Sequence, residues 1–208
     1  MNKLLTEMIG TFFLVLTVGL CVVGQVPLAA LFIGSSLMIM VYMGGHISGG
    51  HYNPAVTLAV FLRGKLPAKD VVPYWAAQIV GAILAAFAVV HTLGTTFTLM
   101  PSAGVVPSLL VEILFTFALA LVVLNTATDD AVSGNSFYGL AIGFTIVVAA
   151  AAGGPVSGGA FNPAVGLGHT LVNAIHGGSL ASLWLYLVGP LSGGALAAVV
   201  YKLQHPPA

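Results

Sequence analysis

Apolar residues run along this chain in long blocks separated by short polar segments, at 4–23, 28–45, 71–93, 107–124, 137–152 and 179–203. Each block approaches the ~20 residues that an α-helix needs to cross ~30 Å of hydrocarbon, so the pattern predicts six membrane-spanning helices. Two shorter apolar stretches, 53–62 and 162–172, each begin with Asn-Pro-Ala. At ~1.5 Å per residue these reach only about half-way across the core. Pro54 and Pro163 suit a first helical turn, where the missing N–H has no partner to lose. The Gly-rich stretches ahead of them, 44–51 and 153–159, are expected to be non-helical. At membrane depth such backbone is tolerated only against protein or a water-filled cavity.

Composition supports lipid as the solvent. Of 208 residues, 59% are apolar and only 5% charged, where a soluble domain carries roughly 25% charged residues. A formal net charge of zero leaves no basic stripe for nucleic acid. Cys21, the single cysteine, sits in an apolar run and reads as a small buried hydrophobe. The first block is long for the core of a cleaved signal and contains Glu7. Lys3, Arg63, Lys65, Lys69 and Lys202 are the five basic residues, and six spans put all of them on one face. The positive-inside rule makes that face cytoplasmic, together with both termini and segment 126–136, and leaves 94–106 outside. The expected location is the plasma membrane.

The chain repeats itself. Ile47-Ser-Gly-Gly-His-Tyr-Asn53-Pro-Ala-Val56 returns as Val156-Ser-Gly-Gly-Ala-Phe-Asn162-Pro-Ala-Val165. Glu7-x-x-x-Thr11 returns as Glu112-x-x-x-Thr116, and Gly81-Ala-Ile-Leu-Ala-Ala86 resembles Gly193-Gly-Ala-Leu-Ala-Ala198. All three recur in order at an offset of about 110 residues, the mark of an internal duplication. Three spans per half force the second half to lie upside down, giving one domain over 1–208 built from inverted repeats of approximately 1–98 and 107–208. Two half-helices then enter from opposite faces and meet by their N-termini, each with about half a positive charge. Asn53 and Asn162 add amide donors at that point. A passing water accepts from them and turns its hydrogens outward, which breaks a proton wire, while cations meet repulsion. No nucleophile–base–acid set is visible, so no enzyme is expected. Neither a cofactor nor a metal site is expected, since no histidine cluster has metal-ligand spacing.

The paired motifs Asn53-Pro54-Ala55 and Asn162-Pro163-Ala164, with Glu7, Glu112, His46-Ile-Ser-Gly-Gly-His51-Tyr-Asn53, Gln78-x-x-Gly81 and Gly189-Pro190, resemble the aquaporin and glycerol-facilitator family over essentially the whole chain. The resemblance implies an all-α membrane protein of six transmembrane helices plus two re-entrant half-helices. It also implies one pore per subunit, usually within a homotetramer, and assigns Glu7 and Glu112 to bracing the carbonyls of the re-entrant loops. The expected partners are small neutral solutes and the lipid bilayer.

One departure bears on selectivity. Family members usually carry Arg directly after the second Asn-Pro-Ala, where this chain has Val165. By the same pattern the remaining constriction positions fall on Ile33, Ala150 and Gly159. Such a ring is apolar and lacks the five donors and fixed charge of a guanidinium. Its expected cargo is water together with glycerol, urea or ammonia, although a hydrophobic constriction can also dewet and slow water. Gly166 stands where glycerol-facilitator members often have Asp, so that subfamily is not indicated. His169 is expected on the pore side of Asn162, about two helical turns farther out, or else bonded to a loop carbonyl. His51 is expected to line the inner mouth and His46 to be structural, with His91 at an interface. Three readings compete with a broad neutral-solute channel: a water-only channel, a non-conducting structural protein of the same fold, and an active transporter using Glu7 or Glu112.

Overall fold

The computed structural model describes residues 1–206. Its helices follow in the order α1 (Asn2–Val23), α2 (Ala29–Ser48), α3 (Pro54–Leu62), α4 (Ala68–Leu93), α5 (Val105–Ala127), α6 (Tyr138–Ser157), α7 (Pro163–Ile175) and α8 (Leu183–Gln204). Six are long and apolar enough to span a bilayer, and α3 and α7 are the two short ones. The order long, long, short, long therefore occurs twice. α1 packs on α4 and α5 on α8, α2 meets α6, and each short helix lies against the last long helix of the other half.

The outer surface is greasy because lipid, not water, is its solvent. Phe13, Phe32, Phe87, Phe144 and Leu196 all point outward, whereas Glu7, Gln78, Thr57, Asn53 and Ser157 are buried. Close helix approach holds the bundle together, with small residues at the crossings. A Cβ at Gly81 on α4 would collide with the carbonyl of Met8 on α1, and one at Gly193 on α8 with the carbonyl of Ile113 on α5.

The Gly-rich stretches correct the sequence reading. α2 continues through Gly44 and Gly45 to Ser48, and α6 through Gly153, Gly154 and Pro155 to Ser157. Only 49–53 and 158–162 leave the helix. A glycine costs a helix only about 1 kcal/mol against alanine, and here the missing side chains make room. The ring of Tyr52 fills the space above Gly44, and that of Phe161 comes within 2.9 Å of where a Cβ of Gly153 would stand. Pro155 falls in the last turn of α6, where little helix remains for it to disturb.

The basic residues gather at one end of the bundle. Lys65 pairs with Asp130 at 3.2 Å, and Arg63 lies over the ring of Tyr201, 4.4 Å from its centroid. Tyr201 donates its hydroxyl to Asp129 at 2.8 Å, and His205 Nε2 stands 2.9 Å from the same carboxylate. These contacts tie the α5–α6 loop to the end of α8 and to the α3–α4 turn.

Candidate functional site

Asn53 and Asn162 are the N-caps of α3 and α7, in extended backbone just before Pro54 and Pro163. Each side-chain oxygen accepts from the backbone N–H two residues on, at 2.8 Å from Ala55 and 2.9 Å from Ala164. Each amide nitrogen then crosses to the other half: Asn53 Nδ2 donates to the Phe161 carbonyl and Asn162 Nδ2 to the Tyr52 carbonyl, both at 2.9 Å. A primary amide carries two N–H groups, so one on each asparagine is left for whatever occupies the adjoining cavity. The carbonyl-bearing residues Tyr52 and Phe161 have φ of 48° and 49°, left-handed backbone that costs a bulky residue energy unless its surroundings enforce it.

The enforcement comes from two buried carboxylates. Glu7 accepts from Ser48 Oγ at 2.7 Å, the His51 N–H at 3.0 Å, the Tyr52 N–H at 2.7 Å and Gln78 Nε2 at 2.8 Å. Glu112 accepts from Ser157 Oγ at 2.8 Å and from the N–H groups of Ala160 and Phe161 at 2.9 and 2.6 Å. This corrects the expectation that they brace carbonyls. An ionised carboxylate only accepts, so it collects the loop N–H groups and leaves the loop carbonyls to other partners. Two tyrosines complete the frame: Tyr74 donates to the Ser48 carbonyl at 2.7 Å and Tyr186 to the Ser157 carbonyl at 2.6 Å. Sequence reading missed them, although their separation equals that of Gly81 and Gly193.

Beside this frame lies a cavity of about 370 Å³, lined by residues of both halves. Asn53, Asn162 and His51 face it, as do Ile33, Ala150, Gly159 and Val165. Among the described residues that line it, none is Lys, Arg, Asp or Glu. His51 Nδ1 lies 3.1 Å from Thr57 Oγ1, which itself donates to the Asn53 carbonyl at 3.1 Å.

Two other histidines do not face the cavity: His169 is carbonyl-bonded as in the second of its two expected readings, although to helix α1 and not to a loop, and His46 is exposed. His169 does not line the cavity. It is buried one layer behind it, with Nε2 3.2 Å from the Val15 carbonyl of α1 and its ring 4.4 Å from that of Phe97. The heptad count put it on the right face of α7, but α1 lies against α7 there and its carbonyl captures the ring. His46 braces neither re-entrant loop. It is exposed in a depression at the basic end of the bundle, next to Gly45, Gly49 and the α5–α6 loop, and the bonds that hold the first re-entrant loop come from Glu7, Ser48 and Tyr74 instead. His91 is exposed on α4. The loop 94–104, which carries no motif, contributes Phe97, Thr98, Leu99, Met100 and Ser102 to the cavity wall.

Residues 1–201 match the family model described as "Major intrinsic protein". The chain is 38% identical to "Aquaporin NIP1-1" of Oryza sativa subsp. japonica over 97% of its own length and 74% of that protein. It is likewise 38% identical to "Glycerol uptake facilitator protein-like 6" of Lactiplantibacillus plantarum, covering 98% of both chains. Among solved structures, the aquaglyceroporin from Plasmodium falciparum superposes with a TM-score of 0.86 over 99% of this chain and 97% of that one, at 22% identity. That last likeness is one of fold.

Proposed function

Since this chain belongs to the major intrinsic protein family, we propose that it is a passive channel with a widened apolar constriction, passing water and the small uncharged solutes glycerol, urea or ammonia. The protein is a multi-pass membrane channel and not an enzyme. The observation that carries the finer reading is the cavity wall, which combines the two asparagine amides with no fixed charge of either sign. Without a guanidinium, a solute sheds water against Ile33, Ala150, Gly159 and Val165 and finds its hydrogen bonds farther in, at Asn53, Asn162 and the loop carbonyls. Neutral molecules that can meet one wall of donors and carbonyls pass, and ions lose hydration without compensation. The names of two relatives, an aquaporin and a glycerol uptake facilitator, agree with water and polyols as cargo.

In this reading Glu7 and Glu112 are structural supports, and His51 belongs to the inner vestibule. The channel sits in the plasma membrane as a homotetramer with both termini cytoplasmic, a topology supported by the grouping of Arg63, Lys65 and Lys202 at one end. The test is light scattering from reconstituted vesicles after osmotic steps with sucrose, glycerol and urea. Shrinkage in sucrose with rapid re-swelling in glycerol or urea is expected. Fast water flux with glycerol and urea both excluded would contradict the widened constriction and leave a water-only channel.

A further inference from the structure

The end of α8 meets the α5–α6 loop and the end of α5 through one face of its last turn. Tyr201, Gln204 and His205 stand at i, i+3 and i+4, so they share that face. Tyr201 and His205 both reach Asp129, and Gln204 accepts from Asn125 Nδ2 of α5 at 3.4 Å. His205 is the C-cap of α8, and its ring stacks on that of Tyr201 with 4.3 Å between centroids. None of the three lines the central cavity, so channel architecture leaves this cluster without a role.

Both ring nitrogens of His205 face oxygens that cannot donate. Nδ1 lies 3.0 Å from the Tyr201 backbone carbonyl and Nε2 lies 2.9 Å from Asp129 Oδ2. A neutral imidazole has one N–H, whereas a carbonyl and an ionised carboxylate only accept. The neutral ring therefore serves one partner and turns a lone pair toward the other. The imidazolium, with two N–H groups, satisfies both. Asp129 stays ionised because the Ala131 N–H and the Tyr201 hydroxyl also donate to it. Few other charges surround the ring. Among the described residues, His205 is the only basic side chain paired with Asp129. Arg63 at the end of α3 lies over the Tyr201 ring, and Lys65 of the α3–α4 turn takes Asp130. Lys202 on α8 is exposed, and His46 of α2 lines the depression that the α5–α6 loop borders.

We infer that His205 is a proton-operated latch fastening the end of α8 to the α5–α6 loop, closed when its ring carries both protons and open when it carries one. Docking and the second proton reinforce each other. The latch is therefore fully made in acid and is lost as the pH rises through the range in which histidine gives up its charge, about pH 5–8. The loop itself stays attached across that range, since the Tyr201 hydroxyl still holds Asp129 and Lys65 still holds Asp130. Opening thus frees the last turn of α8 and not the loop. The basic end of the bundle carries a contact that responds to protons near neutral pH, built from a group that stands outside the pore.

The test follows hydrogen exchange of residues 201–205 in the full-length protein in detergent, at matched intrinsic rates, between about pH 6 and 8. A partly exposed ion pair shifts an equilibrium by only a few-fold, so wild-type exchange is expected to rise about threefold over that interval. His205→Gln can donate a hydrogen bond but cannot take up a proton, and Asp129→Asn removes the charge it answers. Both should exchange at one fast, pH-independent level. His46→Gln should keep the wild-type rise. A purely structural cap would give a flat profile in every protein. A wild-type profile that is flat from about pH 6 to 8 overturns the latch by itself, whether or not any variant folds. A rise that persists in His205→Gln, or that vanishes in His46→Gln, places the proton elsewhere and overturns it too. Osmotic assays of the channel reading are independent of this measurement, so either account can fail alone.

Discussion

At the scale of single residues, the centre of the molecule is a problem of hydrogen-bond supply. Seven backbone and side-chain donors around the re-entrant turns are paired by Glu7 and Glu112 in a low-dielectric interior, and each such donor costs about 1–3 kcal/mol when left unpaired. Glu112→Ala strands Ser157, Ala160 and Phe161 together and should abolish most folded protein. Glu112→Gln keeps one acceptor oxygen and should retain more of it. Size-exclusion chromatography in detergent measures this as the monodisperse fraction, and an Ala variant as well behaved as wild type would remove the structural role. The asparagines and glutamates were legible in the sequence because duplication marks them twice. What each glutamate holds was not legible, since only geometry shows N–H groups and not carbonyls pointing at Glu7. Which of the two expected places His169 takes was not legible for a related reason. Helical periodicity gives its face on α7 but not the Val15 carbonyl that claims it.

At the scale of elements, hydropathy located all six long helices, and the half-length stretches opening with Asn-Pro located α3 and α7. Their ends were harder. Glycine content suggested that the helices stop near Gly44 and Gly153, but the packed rings of Tyr52 and Phe161 repay the glycines and the helices run on for another turn. The same logic gives a prediction at the helix crossings. Gly81→Leu forces a branched side chain against the Met8 backbone, and because backbone cannot yield as a side chain does, the cost should exceed the usual 1–3 kcal/mol of overpacking. A fall in melting temperature in detergent is expected, with Gly81→Ala smaller but in the same direction. An unchanged melting temperature for Gly81→Leu would contradict the close α1–α4 approach. The loop 94–104 was invisible to sequence reading because its anchors, Thr96, Thr98 and Phe97, form no pattern until α7 is placed beside them.

At the scale of the whole molecule, the loops at the two ends of the bundle, 94–104 and the α5–α6 loop, are secured by different chemistry. Loop 94–104 is held by neutral hydrogen bonds and an aromatic contact. The α5–α6 loop is held by Asp129 and Asp130. The N–H of Ala131 and the hydroxyl of Tyr201, with His205 and Arg63 nearby, hold the Asp129 carboxyl below the usual carboxylate range. A depressed value means that this contribution is fully present above the ordinary value of ~3.9 and is lost as the pH falls through the lower one. Asp129 should therefore keep the α5–α6 loop attached throughout about pH 5–8 and release it only in stronger acid. Hydrogen exchange of residues 128–137 at matched intrinsic rates should rise at low pH in the wild type, and Asp129→Asn should flatten that rise. Exchange that accelerates between pH 7 and 5 in step with Asp129 would contradict this.

The same whole-molecule view predicts that two helix N-termini and two asparagine donors suffice to exclude ions without the usual arginine, so that proton conductance in vesicles stays low. The central claim is nonetheless about the ring at Val165, and the ratio of glycerol to water permeability in wild type and Val165→Arg tests it most directly. The account predicts a high ratio in the wild type that collapses in Val165→Arg while water flux persists, because the guanidinium narrows the mouth and restores donors to it. A ratio that is the same in both proteins would contradict it, since the residue at 165 would then set nothing.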